Sequence, residues 1–214
     1  MIVTPKGYFS GTVGGGKLEM AATSHAQEYL KSEERGSYFQ EWNLQTDIKM
    51  SCGGSVGLFF EIHNPASSWK IVVFGAGHVS QELIRVLLRL ECSVQCFDSR
   101  SEWISKLPKD QKLRAHVTDD LPKQVASLDS SCFVVCATMG HGTDLPILEE
   151  ILKTKSFAYV GVLGSDLKAL KMRKSLSESG ISQEKLESFY CPVGEAIGNN
   201  TPAEIAISVA AQLL

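Results

Sequence analysis

Apolar residues gather into short continuous runs through the last two thirds of the chain and into shorter, interrupted ones before that. Residues 71–74, 93–97, 132–137 and 158–163 read as buried β-strands, and residues 115–118 add a shorter one. Between these runs, apolar positions recur at helical spacing near 79–90, 145–152 and 167–177. A last helix is expected over 202–214, with Thr201 as its N-cap and Pro202 at the favoured first position. Strands that are apolar at successive positions and alternate with helices predict a parallel sheet covered on both faces. Before residue 66 the pattern is irregular and rich in glycine, with β-like pieces at 7–13 and 56–62 and a helix over 18–30. Turn-forming residues at 64–68 mark a linker. The expected architecture is a small, glycine-rich, mostly β N-terminal domain over 1–66. It is followed by an α/β Rossmann-like domain over 67–214.

Composition narrows the function classes. An apolar fraction of 43% supports a real core, while a net charge of −3 argues against nucleic acid or an anionic membrane as the main partner. No apolar run approaches the roughly 20 residues of a membrane span. The N-terminus lacks the charged segment and apolar core of a secretory signal, so the six cysteines are expected as free thiols in a reducing compartment, with the cytoplasm as the default. Neither a CxxC pair nor a Cys/His cluster of zinc spacing occurs, so no structural metal is expected. Cys92 with Cys96, and Cys132 with Cys136, read as small core residues on shared faces.

The chemistry-bearing motifs fall at the ends of the predicted strands. Gly75-Ala76-Gly77-His78 follows the first strand of the αβ region and opens a helix. That is the phosphate-binding turn of a βαβ unit, where free helix amides and the helix dipole meet an anion. Ser80 stands where a third glycine is usual, and Asp98 lies at the end of the next strand, at the spacing of an acid that accepts from a ribose 2′-hydroxyl. Arg100 beside it offers a site for a 2′-phosphate, so the residues leave NAD and NADP both open. Thr138, His141 and Asp144 share a loop after a strand, where Thr143 and Asp144 are alternatively helix caps. Gly164 and Ser165 make a similar turn one strand later. In the N-terminal region, Gly14-Gly15-Gly16-Lys17 offers backbone N–H groups and a charge for an anion, or else a plain turn. Cys52 beside Gly53 and Gly54 presents a thiol with room around it, against the alternative of an inert buried cysteine.

Taken in order, GTVGGGKLE (11–19), SCGG (51–54), FGAGHVSQEL (74–83), FDSR (97–100), TMGHGTDLPILEEIL (138–152), YVGVLGSDLKALKM (159–172) and CPVGEAIGNNTPAEIAISVAAQLL (191–214) give the chain its family likeness. It resembles the xanthine dehydrogenase accessory protein family of the XdhC/CoxI type over nearly its whole length. The resemblance implies a molybdenum cofactor (molybdopterin) chaperone rather than a turnover enzyme. Such a protein protects the cofactor during sulfuration with a cysteine desulfurase, then delivers it to a xanthine dehydrogenase-type molybdenum hydroxylase, and acts as a homodimer. It also implies cofactor-binding roles for Cys52, as the thiol that approaches molybdenum, and for Gly53, Gly54, Gly14, Gly15, Gly16 and Lys17. The same holds for Gly75, Ala76, Gly77, His78, Thr138, His141, Asp144, Gly164 and Ser165. Some family branches carry a cysteine at Lys17 or a second histidine at Met139, and family members begin earlier than the segment matched by Met1. The competing class is an NAD(P)-dependent oxidoreductase or NAD(P)H sensor, resting on Gly75, Gly77, Asp98 and Arg100, with His141 as proton donor.

Overall fold

A computed structural model describes residues 1–31, 36–51, 53–62 and 69–214 and gathers the chain into two compact units, Met1–Pro65 and Ala66–Leu214. The linker expected at 64–68 lies outside the described residues. In the first unit, β1 (Ile2–Thr4) and β2 (Gly7–Ser10) form an antiparallel hairpin, followed by α1 (Gly16–Lys31). A second antiparallel pair, β3 (Ser37–Asn43) and β4 (Ser55–Glu61), runs in register from Ser37 opposite Glu61 to Asn43 opposite Ser55. Alternate residues of this pair turn inward, so that Trp42 with the partly buried Val56, Leu58 and Phe60 packs on Leu18 and Ala22 of α1. The expected strand over 7–13 is thus the four-residue β2, paired with a β1 too short to show an apolar pattern.

The second unit is built as the apolar runs predict. Its elements are β5 (Lys70–Phe74), α2 (His78–Leu87), β6 (Ser93–Asp98), α3 (Ser101–Ile104), β7 (Leu113–Val117), α4 (Leu121–Gln124), β8 (Phe133–Cys136), α5 (His141–Thr154), β9 (Tyr159–Val162), α6 (Asp166–Glu178), α7 (Gln183–Glu187) and α8 (Pro202–Leu213). The five strands are parallel in the order β7-β6-β5-β8-β9, and Tyr190 adds one parallel bridge beside Gly161 at the β9 edge. Successive strand residues point to opposite faces, which explains why the runs are apolar at every position. Val72, Phe74, Val134 and Val162 pack with α5 and α6 through Ile147, Leu148, Met172 and Leu176. Ile71, Val73, Val94 and Val135 pack instead with Leu83, Ile84 and Leu87 of α2 and with Ala206, Val209 and Leu213 of α8. Cys92 and Cys96 lie in this second layer and Cys132 and Cys136 in the first, all four buried.

At α8, the Thr201 hydroxyl accepts from Glu204 N while the Glu204 carboxylate accepts from Thr201 N, a reciprocal cap with Pro202 at the first helical position. One boundary moved: α5 starts at His141, four residues before the apolar spacing begins at Leu145. Its first turn is polar, and it is fixed by Gly140 at φ 152°, whose carbonyl accepts from Thr143 N and Asp144 N. Neither Thr143 nor Asp144 is the cap.

Candidate functional site

The sheet order reverses at β5: the chain steps outward through β6 and β7, then returns to β8 on the other side. At that reversal the helices that follow β5 and β8 pack on opposite faces of the sheet, and open α/β sheets take their ligands at the strands' carboxyl ends beside such a point. The two glycines of the β5 loop do different work there. Gly75 sits at φ +102°, and a Cβ on it would lie 2.2 Å from the Ala137 oxygen and 2.9 Å from Thr138 Cα. Its lack of a side chain is what lets the ends of β5 and β8 close together. Gly77, the N-cap of α2, has φ −68° and nothing within 4 Å of where a Cβ would stand. Open space therefore faces the first turn of α2, whose N–H groups have no acceptor inside the helix. A helix first turn left open in this way is a common seat for a phosphate.

Asp98 ends β6 with 3% of its surface exposed, and its carboxylate is held from within the chain. Ala76 N donates to Oδ2 at 2.7 Å, tying the carboxylate to the glycine loop. Arg100 supplies its backbone N–H and its Nε to Oδ1, both at 2.9 Å, and its Nη2 to Oδ2 at 2.7 Å. Burial alone would raise the Asp98 carboxyl, but the Arg100 side chain and the two backbone donors outweigh it and hold the group below the usual carboxylate range. Gln81 Nε2 donates to the carbonyls of Ala76 and Trp103, both at 3.0 Å, and so joins the loop to α3. Exposed His78 meets the Trp103 ring edge-on at 4.7 Å between centroids, and the Arg100 guanidinium lies 5.1 Å from that ring. Ser80, at the third glycine position, is fully buried, and its hydroxyl finds no hydrogen-bond partner among the described residues.

A second charged network lies at the ends of β8 and β9. Asp144, fully buried, accepts from Thr138 N at 3.0 Å and Thr138 Oγ1 at 2.6 Å through Oδ1. Its Oδ2 accepts from Lys168 Nζ at 2.5 Å, and the same ammonium donates to the Leu163 carbonyl at 2.6 Å. With the carboxylate paired to an ammonium, Thr138 must spend its one proton on Asp144. The Thr138 and Thr143 hydroxyls lie 2.5 Å apart and Thr143 Oγ1 is also 3.1 Å from the Gly140 carbonyl, so the one Thr143 proton has two acceptors in reach. Lys168 escaped the sequence reading because it stands 24 residues from Asp144 on a different helix; the one signal was its place just after the Gly164-Ser165 turn. Ser165 caps α6 by accepting from Lys168 N. At Gly164 a Cβ would come within 2.7 Å of Lys168 Cδ, so this glycine clears the path of the lysine stem to Asp144. His141, half-buried at the start of α5, keeps a buried Nδ1 with no hydrogen-bond partner among the described residues.

In the first unit, Gly14, Gly15 and Gly16 all take positive φ, and open space surrounds the last two. Gly14 N donates to Thr12 Oγ1, and Lys17 Nζ donates to the Lys49 carbonyl at 2.7 Å, which brings this turn beside the β3–β4 loop. Gly54 has open space as well, and its carbonyl accepts from Leu44 N. Cys52 lies outside the described residues. The five other cysteines are buried, and burial is the leading cause that raises each thiol: Cys96 to about 12, Cys136 well above its ordinary value, and Cys92, Cys132 and Cys191 less far. None of these five offers a thiolate to a soft metal at neutral pH. No cluster of His, Cys, Asp and Glu suited to a metal ion occurs among the described residues, and no helix there is long and apolar enough to cross a membrane.

The parallel five-stranded sheet with helices on both faces defines a Rossmann-type α/β protein. The family model for the XdhC Rossmann domain matches residues 71–213, and the chain belongs to that family. It is 26% identical over 218 residues to the uncharacterised protein YqeB of Escherichia coli K12, covering all of this chain and 39% of YqeB. It is 25% identical over 256 residues to the molybdenum cofactor insertion chaperone PaoD of the same organism, covering all of this chain and 76% of PaoD. The chain therefore spans well under half of one relative and about three quarters of the other. A crystal structure described as a xanthine dehydrogenase from Bacillus halodurans shares the fold, with a TM-score of 0.56 and 18% identity over 95% of this chain and 81% of that one.

Proposed function

We propose that the chain is a molybdenum cofactor carrier that serves the maturation of a molybdoenzyme. The observation that carries this reading is the open space at Gly77, the N-cap of α2, while the neighbouring acid, Asp98, is held by its own chain. Family membership and the similarity to PaoD supply the ligand class. In this reading the terminal phosphate of molybdopterin sits on the first turn of α2, beside Gly75, Ala76, Gly77 and His78. Thr138, His141 and Asp144, together with Gly164 and Ser165, shape the adjoining wall. Within the first unit, Gly14, Gly15, Gly16, Lys17, Gly53 and Gly54 keep the cofactor-binding roles expected of them, with Cys52 as the thiol offered to molybdenum. Sulfuration in concert with a cysteine desulfurase, delivery to a xanthine dehydrogenase-type hydroxylase, homodimerisation and a cytoplasmic setting complete the proposal.

The test is anaerobic mixing of the protein with molybdenum cofactor, gel filtration, and assay of the protein peak for the fluorescence of oxidised pterin. Coelution near one pterin per chain, reduced in Cys52→Ala, is the expected result. Retention undiminished in Cys52→Ala removes the thiol's role. Absence of pterin from the protein peak overturns the carrier reading, and retention of NAD(H) in a parallel sample moves the assignment to an oxidoreductase or sensor.

A further inference from the structure

We propose that Arg100 is a specificity-determining residue. By occupying Asp98 it closes the carboxyl end of β6 to ribose, and it leaves the Gly75–Gly77 loop to a phosphate whose bearer has no ribose diol at that place. The proposal deepens the carrier reading and rests on it for what bears the phosphate; the exclusion of ribose rests on the Asp98 geometry alone.

In a βαβ nucleotide site, the acid that ends the second strand accepts from the ribose hydroxyls. A carboxylate has about four acceptor positions, and here four donors take them: Arg100 N and Nε on Oδ1, Ala76 N and Arg100 Nη2 on Oδ2. Three of those donors belong to Arg100, and two form a planar fork that a ribose would have to displace as a unit. A hydroxyl is a weaker donor to a carboxylate than a guanidinium, so the exchange is unfavourable before any cost of moving the arginine. Arg100 is also held from behind by the Trp103 ring, whose carbonyl is tied through Gln81 to Ala76 of the same loop. The same fork takes the Nε–Nη2 edge of the guanidinium, which leaves a 2′-phosphate only the Nη1 side and the second Nη2 hydrogen.

NADH, ADP-ribose and CDP are titrated calorimetrically into the full chain and into Arg100→Ser. The parent is expected to bind none of the three more tightly than about 1 mM. Arg100→Ser is expected to bind each about 10- to 100-fold more tightly, the worth of about one hydroxyl bond to a charged acceptor. Adding Asp98→Asn to that variant should abolish the gain. Micromolar binding of any of these ligands by the parent overturns the proposal, as does a folded Arg100→Ser that gains nothing. Should Arg100→Ser fail to fold by circular dichroism, the parent titrations decide alone. Pterin retention by the parent is read from the same preparation. Its absence with no ribose ligand bound refutes the carrier reading and leaves the exclusion standing; pterin retained together with tight NADH binding does the reverse.

Discussion

The two glycines of the β5 loop make a paired prediction that separates packing from ligand binding. A methyl group at residue 75 would stand 2.2 Å from the Ala137 oxygen, 2.6 Å from the Ala137 carbon and 2.9 Å from Thr138 Cα, all backbone atoms of the neighbouring strand end. No flexible side chain is there to yield. Placing alanine at φ +102° costs about 1–3 kcal/mol in backbone strain. Overpacking between two strands adds about 1–3 kcal/mol. The separation that relieves it weakens the bonds from Gly75 N to the Phe97 carbonyl and from Ala137 N to the Phe74 carbonyl, at about 1 kcal/mol each. Gly75→Ala is therefore expected to lose about 4–6 kcal/mol, among the largest single-residue effects, and to lower Tm by about 10–20 °C. At Gly77, φ −68° suits alanine and nothing lies within 4 Å, so Gly77→Ala should lose only about 1 kcal/mol, the difference between glycine and alanine as an N-cap. Its methyl would instead enter the space assigned to the phosphate and reduce pterin retention. Differential scanning calorimetry of both variants, with the retention assay on the folded one, reads the two effects. A Gly75→Ala protein that melts within about 3 °C of its parent would refute the packing argument.

Other residues give independent tests. Lys168→Met strands the buried Asp144 carboxylate and should cost about 3–5 kcal/mol in urea unfolding. In a double-mutant cycle with Asp144→Asn, a coupling below about 0.5 kcal/mol would show that the pair does not act as one unit. Because the Asp98 carboxyl is held below its ordinary value in the folded protein, its contribution is fully present above the unfolded-state value near 4 and is lost as pH falls through the folded one. Asp129, Glu149 and Glu204 are shifted in the same direction, so the measurement is the difference between parent and Asp98→Asn stability curves. That difference should shrink below about pH 4, and a constant gap would count against the assignment. Iodoacetamide at pH 7.5 should leave Cys92, Cys96, Cys132, Cys136 and Cys191 of the native protein largely unmodified by peptide mass spectrometry, because burial keeps each as a neutral thiol. Early labelling at any of the five would overturn that.

What the sequence made legible was whatever depends on one short stretch of chain. The strands at 71–74 and 93–97 were visible because burial on both faces makes a parallel strand apolar throughout, and the α8 cap was visible because Thr201 and Pro202 are adjacent. β3 was missed because its inward residues include Gln40 as well as Tyr38 and Trp42 and its outward ones include Phe39, which blurs the alternation. The four- and five-residue helices α3, α4 and α7 are too short to show a helical period. At the site, Gly75 has the positive φ of a glycine turn, and a second constraint on it, invisible locally, comes from Ala137, 62 residues away. Asp98 was assigned outward to ribose, and only the Arg100 rotamer reveals that it is held from its own chain. Residue type and local spacing located the loops, while the partners inside them were set by contacts across the sheet.

Those partners also bear on how this end of the sheet attracts an anion. Its two buried or nearly buried carboxylates are each matched by a cation of the same chain, Asp98 by Arg100 and Asp144 by Lys168. Each pair is close to neutral as a unit, so neither arginine nor lysine brings a net charge to a ligand. Beyond these pairs, the helices that start at this end of the sheet, α2, α5 and α6, offer their dipoles, each an attraction of about 0.3–1 kcal/mol for a surface charge and somewhat more when partly buried. Inorganic phosphate should therefore bind weakly. A cofactor retained through gel filtration must draw most of its affinity from contacts to its organic body rather than from the phosphate. A carrier benefits from that division, because a phosphate gripped by free arginine or lysine would be slow to leave for the enzyme that receives it.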